Sequence, residues 1–246
     1  MMGFISSIFL GIIQGLTEFL PVSSSGHLVL AQSLIPGFRQ PGILFDVILH
    51  FATLFAVLFY FRKGIFKLGL GYLWYLAVGT VPAVVIGFLF KDAIEGMFQS
   101  AKFLGFEFMI SGLINLAIYK IKPGKKAVNA KNSFLTGIAQ AVAIIPAISR
   151  SGSTIFSGVA QGIEPKKAVE FSFLLSVPAI LGANILEIAS HGPGGGFVVS
   201  DYLVGFVAAF ASGFFAIGLV LKLLLNRKFK FFAYYCFILG AITLLI

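Results

Sequence analysis

Six apolar runs in this chain have the length of a bilayer crossing: about Gly42–Phe61, Leu70–Phe90, Phe103–Ile121, Ala168–Ile188, Tyr202–Leu225 and Phe231–Ile246. A hydrocarbon core of about 30 Å takes roughly 20 apolar residues wound as α-helix. In lipid each backbone N–H and C=O must be paired inside the protein, and a helix does this within one segment. A water-soluble helical protein would need a polar coat over such runs. This chain is 59% hydrophobic and 11% charged, whereas soluble domains carry about 25% charged residues. The expected fold class is therefore all-α, a polytopic membrane protein forming a single membrane domain over residues 1–246. The first apolar run has no basic segment ahead of it and is interrupted by Glu18, so it does not read as a signal peptide.

Two other apolar regions are broken. One runs Ile5–Leu20, breaks at Pro21 and Ser23–Gly26, and resumes over His27–Ile35; the other runs Phe134–Ile145, breaks at Pro146 and Ser149–Gly152, and resumes over Ser153–Ile163. Each piece is too short to cross alone. Irregular backbone at membrane depth persists only where protein or water covers it. The natural reading is two re-entrant helical hairpins that enter the membrane and return.

The second half repeats the first at an offset of 126 residues. Gly11, Gln14, Ser23, Ser25 and Gly26 recur as Gly137, Gln140, Ser149, Ser151 and Gly152. Phe45 and Leu49 recur as Phe171 and Leu175, and Val78, Gly79 and Gly87 as Val204, Gly205 and Gly213. The last span matches with a two-residue slip, Gly112 against Gly240. Each half, about 1–126 and 127–246, then holds one hairpin and three spans. Three crossings are odd, so the halves enter the membrane in opposite senses, an inverted-topology repeat whose broken helices meet near the midplane.

Charge sets the orientation. Fourteen Lys and Arg residues, among them Arg62, Lys125, Lys126, Lys166 and Arg227, fall on one side, and Arg39, Lys91 and Lys102 on the other. The positive-inside rule puts the first side in the cytoplasm and both termini outside. The net charge of +9 therefore lies in short juxtamembrane loops, where it meets anionic membrane lipids rather than nucleic acid.

Ionisable groups at membrane depth are costly and point to function. The hairpins hold Glu18, His27 and Arg150, and here the repeat breaks: their counterparts are Ile144, Ser153 and Ser24. Arg150 lies between Ser149 and Ser151 at the start of a helical segment. Its planar fork donates paired hydrogen bonds to phosphate, and a helix N-terminus adds N–H donors. Ser23, Ser24, Ser25 and Gly26 offer a similar cradle from the first half. Phosphoryl transfer asks for this positioning and charge neutralisation, plus a nucleophile or activated water, for which Glu18 and His27 are the candidates. Gln14 lies four residues before Glu18 on the same helix face. Asp46 and His50 read equally well as cavity-lining or helix-end residues, while Glu107 reads as an interfacial group near a span end.

These motifs resemble a known family. The segment QGLTEFLPVSSSGH at 14–27 is similar to the first signature of the undecaprenyl-diphosphatase, or bacitracin-resistance, family; PAISRSGST at 146–154 is similar to the second and FSFLLSVPAI at 171–180 to a third stretch. The resemblance covers essentially the whole chain. It implies hydrolysis of a C55-type polyprenyl diphosphate to the monophosphate, recycling the lipid carrier for envelope synthesis, at a site opening outward. By motif position Glu18, Ser23, Ser24, His27 and Arg150 fall on the family's functional positions, joined by Ser149 and Thr154 as phosphate-side hydroxyls. A divalent cation, Mg2+ or Ca2+, is also implied, with Glu18 as its obvious ligand. Two positions depart from the family: Gln14 stands where many members carry a second Glu, and Ala147 where Gly is usual. The attacking or proton-carrying group is open between Ser24 and His27, and so is the oligomeric state, a homodimer included. The rival reading is a transporter or flippase of polyprenyl phosphate, since inverted repeats with broken helices are also a transporter design.

Overall fold

The computed structural model describes residues 3–36, 44–90, 104–145, 148–191 and 198–245. Among these the regular structure is helical: α1 (Phe4–Phe19), α2 (Ser24–Leu34), α3 (Leu44–Tyr60), the single turn α4 (Arg62–Ile65), α5 (Leu70–Leu89), α6 (Leu104–Lys120), α7 (Ala130–Val142), α8 (Arg150–Ala160), α9 (Pro165–His191), α10 (Val199–Leu225) and α11 (Lys230–Leu245). Among the described residues three helices are long and apolar enough to cross a membrane: Leu70–Leu89, Pro165–Ser190 and Val199–Leu225. Phe4–Phe19, Leu44–Tyr60 and Lys230–Leu245 are shorter apolar helices. Large apolar side chains such as Trp74, Phe88 and Phe215 face outward, as lipid-facing residues of a multi-pass membrane protein do. Pro146, Ala147, Arg39, Lys91, Lys102 and the Gly194–Gly196 run lie outside the described residues.

Both expected breaks are present, but each second helix starts three residues earlier than the apolar pattern indicates. α1 stops because Pro21 has no N–H and drives the preceding Leu20 to an extended conformation (φ −64°, ψ 140°). α2 begins at Ser24 because the Ser23 hydroxyl accepts from the Gly26 N–H at 3.4 Å. Ser149 caps α8 in the same way, accepting from the Gly152 N–H at 3.1 Å. The Ser-rich segments are thus first turns of helices, which supply their own caps. Asn129 starts α7 with a reciprocal box to Asn132, at 3.0 and 2.7 Å.

Packing is organised by close helix crossings. α1 lies along α10, α7 along α5, and α6 along α11, while α3 lies against α9 and α10. A Cβ on Gly11 would overlap the Gly205 carbonyl oxygen, and one on Gly137 would overlap the Gly79 carbonyl oxygen. Small residues at such crossings let backbones touch, which is how membrane helices gain packing energy without a hydrophobic drive. A core of Phe19, Val57, Ile155, Phe173 and Ile217 fills the space behind the breaks, with Phe19 set edge-on to Phe173 at 5.2 Å.

Replacing Gly137 with Leu is expected to cost about 1–3 kcal/mol through overpacking, read as a lower thermal midpoint in detergent. Gly71→Leu, where a side chain meets nothing within 4 Å, is expected to leave the midpoint unchanged or raised.

Candidate active site

The two breaks face each other, and two of the three asymmetric residues, Glu18 and Arg150, meet there. Glu18, at the end of α1, is 6% exposed. One carboxylate oxygen, Oε1, pairs with Nη2 of Arg150, the first residue of α8. The other, Oε2, accepts from Gln14 Nε2 at 3.0 Å and from Ser24 Oγ at 2.8 Å. A carboxylate away from water needs a counter-charge and hydrogen bonds on both oxygens, and Glu18 has both.

Around this pair stand open positions. Arg150 Nη1 and Gln14 Oε1 are buried and make no hydrogen bond. His50, on α3, donates from Nδ1 to the Asp46 carbonyl at 2.8 Å. Its Nε2 is 3.9 Å from Glu18 Oε2. His50 is therefore a wall of the site, the cavity-lining member of the two readings its sequence position allowed.

The remaining hydroxyls hold the turns. Ser23 Oγ lies 3.4 Å from Ser25 Oγ, and Ser149 Oγ 3.3 Å from Ser151 Oγ. Ser151 Oγ donates to the Leu20 carbonyl at 3.1 Å, tying the second break to the first. Thr154 is fully buried, with its hydroxyl on the Arg150 carbonyl at 2.9 Å and 2.6 Å from Ser172 Oγ. It braces α8 against α9, and its hydroxyl bonds the backbone of Arg150 rather than the paired side chains of Glu18 and Arg150. His27 is also engaged elsewhere: Nδ1 is 2.6 Å from the Ser23 carbonyl and Nε2 is 2.7 Å from Tyr235 Oη.

One helix pins both turns. On α6, Asn115 Nδ2 donates to the Pro21 carbonyl at 2.6 Å, and Ser111 Oγ accepts from the Ser149 N–H at 3.1 Å. Both residues are fully buried and four apart, hence on one face. Neither stood out in the sequence, and a polar side chain inside an otherwise apolar run was the available signal. Glu107, read as an interfacial group, is instead 8% exposed in the first turn of α6.

The donor set also bears on a metal. No group of three or more His, Cys, Asp or Glu residues able to hold an ion occurs among the described residues. Glu18 and the orphaned Gln14 Oε1 do fit a cation that takes most of its ligands from phosphate oxygens and water, the usual habit of Mg2+.

Comparison with known proteins identifies the family. The family model described as "Bacitracin resistance protein BacA" matches residues 7–242. The chain is 44% identical to an undecaprenyl-diphosphatase of Carboxydothermus hydrogenoformans, covering 98% of this chain and 95% of that protein. It is 40% identical to undecaprenyl-diphosphatase 4 of Bacillus thuringiensis, covering 99% and 97%, and 36% identical to an undecaprenyl-diphosphatase of the archaeon Methanobrevibacter smithii, covering 98% and 97%. The likeness thus runs the length of the chain and includes both breaks, and the chain belongs to the bacitracin resistance protein BacA family.

Proposed function

We propose that this chain is a membrane undecaprenyl-diphosphatase, hydrolysing undecaprenyl diphosphate to the monophosphate and inorganic phosphate and so recycling the lipid carrier for cell-envelope synthesis. The observation that carries the reading is the meeting of Arg150, Glu18 and Ser24, with one guanidinium nitrogen left open at the site.

The geometry supports a defined division of labour. Arg150 turns its open Nη1 to the diphosphate and neutralises charge that spreads in the transition state. Ser24 attacks the terminal phosphorus while its proton passes to Glu18 Oε2, the atom it already donates to at 2.8 Å. The bridging P–O bond breaks and undecaprenyl phosphate leaves. Water then cleaves the phosphoserine, releasing inorganic phosphate and restoring the Ser24 hydroxyl. Gln14 keeps Glu18 oriented through its 3.0 Å hydrogen bond. Ser23, Ser25, Ser149 and Ser151 shape the two cradles. A divalent cation, when bound, would neutralise the diphosphate and be held by Glu18 and Gln14 Oε1. The outward apolar surface and Phe-rich walls suit the lipid tail.

The architecture we propose is an inverted repeat with two re-entrant hairpins in the cell membrane, α1–α2 entering from outside and α7–α8 from the cytoplasm. Support comes from the swapped glycine crossings: Gly11 meets Gly205, and its counterpart Gly137 meets Gly79, the counterpart of Gly205. Matching Ser caps at 23 and 149 add to it. The excess of Lys and Arg in one set of loops supports both termini lying outside. The transport reading has no comparable observation in its favour.

Arg150→Ala, and also Arg150→Lys, which cannot form the same fork, are expected to lower phosphate release by about 10²–10³ in monodisperse protein. Near-normal release by either variant would remove Arg150 from the site. Orientation has its own check, because the native Cys236 is fully buried. Lys125→Cys is expected to resist an impermeant maleimide in intact cells and to react after permeabilisation; labelling in intact cells would reverse the topology.

A further inference from the structure

His27 and Tyr235 are joined more tightly than packing requires, and the proposed reaction does not use the pair. The His27 ring is nearly parallel to that of Tyr235, centroids 5.6 Å apart at 11°, and Phe108 crosses it edge-on at 5.0 Å. Nδ1 is 2.6 Å from the Ser23 carbonyl oxygen. A carbonyl only accepts, so Nδ1 carries the hydrogen. In the neutral ring Nε2 then offers a lone pair, and Tyr235 Oη donates to it at 2.7 Å. Both ring nitrogens are thereby occupied away from Ser24, Glu18 and Arg150.

The carbonyl that His27 holds belongs to a strained residue. Ser23 has φ 72° and ψ 100°, one of two non-glycine residues with positive φ among those described. Its counterpart in the second half, Ser149, has an ordinary φ of −59°. L-residues rarely adopt such angles unless their surroundings impose them. The next residue is Ser24, whose hydroxyl points at Glu18. A continuous chain thus runs from α11 to the reacting hydroxyl: Tyr235 O–H to His27, His27 N–H to the Ser23 carbonyl, and the bent Ser23 backbone to Ser24.

We propose that Tyr235 is a positioning residue of the phosphatase reaction. It fixes the Nδ1–H tautomer of His27, and His27 in turn holds the Ser23 backbone in the conformation that aims Ser24 at Glu18. On this view His27 braces the turn and is not the proton carrier for Ser24. The rival role for Tyr235, inert packing of one ring on another, is kept by phenylalanine; the role proposed here is not.

The inference rests on the phosphatase reading, and two measurements separate the two. The first is steady-state phosphate release from undecaprenyl diphosphate in detergent, by wild type, Tyr235→Phe, His27→Asn, His27→Ala and the Tyr235→Phe/His27→Asn double variant, each checked for monodispersity. Loss of one hydrogen bond predicts that Tyr235→Phe lowers kcat about 3–10-fold, with KM changed by less than about twofold, since remote positioning is not uniform binding. The Asn side chain can present an N–H to the same carbonyl, so His27→Asn keeps more kcat than His27→Ala and retains the pH profile. Adding Tyr235→Phe to His27→Asn costs nothing further. Wild-type kcat in Tyr235→Phe overturns the proposal, as does a His27→Asn variant no more active than His27→Ala and missing one limb of the pH profile. The second measurement is the 15N imidazole signal of His27, expected as the Nδ1–H tautomer in wild type and altered in Tyr235→Phe. It does not depend on turnover. An Nε2–H tautomer overturns the inference even if phosphate is released, and an inactive wild type with the expected tautomer would instead sink the phosphatase reading.

Discussion

The ion pair between Glu18 and Arg150 is the constraint around which the rest is arranged. A carboxylate 6% exposed inside an apolar bundle cannot stay charged without a partner. The partner lies 132 residues away in sequence, in the other half of the chain. The first-half break must therefore reach the second-half break at the same depth. Pro21 ends α1 just past Glu18, and the Ser149 cap starts α8 at Arg150. The glycine crossings of α1 on α10 and of α7 on α5 bring the helices that carry the turns into the bundle interior. Ser151 then adds a second hydrogen bond to the Leu20 carbonyl, which already accepts from the Val22 N–H at 2.8 Å, and Asn115 holds the Pro21 carbonyl.

A buried ion pair is poor evidence for stability, because desolvation consumes most of the Coulomb gain. Its value here is that it is incomplete. Arg150 Nη1 and Gln14 Oε1 have no partner, and a phosphate-bearing ligand supplies acceptors for the first. The scaffold around the pair is repeated between the halves: Ser caps, glycines at the crossings, and Gln14 against Gln140. Glu18, His27 and Arg150 are not repeated. A symmetric frame thus holds one asymmetric site, which suits chemistry with a distinct attacking side and leaving side.

Much of this was legible in the sequence. Apolar length gave the helices, though only three of the six expected spans are long and apolar enough to cross among the described residues; Pro and Ser gave the breaks, and the cost of a charge in lipid singled out Glu18 and Arg150. The repeat paired Gly11 with Gly137 and Gly79 with Gly205 before any contact was known. What could not be read depends on long-range contact or on backbone geometry. The caps move the start of α2 to Ser24 and of α8 to Arg150, because a hydroxyl three residues back can satisfy a helix N–H that an apolar pattern does not register. The positive φ of Ser23 has no signature, since serine usually avoids it. Tyr235 and Asn115 sit inside apolar spans, where a tyrosine passes as interfacial and an asparagine as a helix contact. Only the fold shows that one reaches His27 and the other Pro21. His50 was undecided for the same reason: its partner is on another helix.

Of the two departures from the family pattern, Ala147 lies outside the described residues and Gln14 stands in the site itself. Gln14 can be weighed by charge. The Glu18 carboxylate and the Arg150 guanidinium balance each other's charge. A second carboxylate at position 14 would sit within hydrogen-bonding range of Glu18 Oε2 and repel it, and that arrangement would call for a cation to balance it. The amide of Gln14 instead donates to Glu18 at 3.0 Å, stabilising the same carboxylate that a neighbouring acid would destabilise. The substitution therefore replaces one carboxylate oxygen with an N–H donor and leaves Glu18 as the one carboxylate that Arg150 balances. On that argument, among the described residues, Glu18 is the one carboxylate beside Arg150, and the open Nη1 of Arg150 is the one cationic donor left for an acceptor at the site.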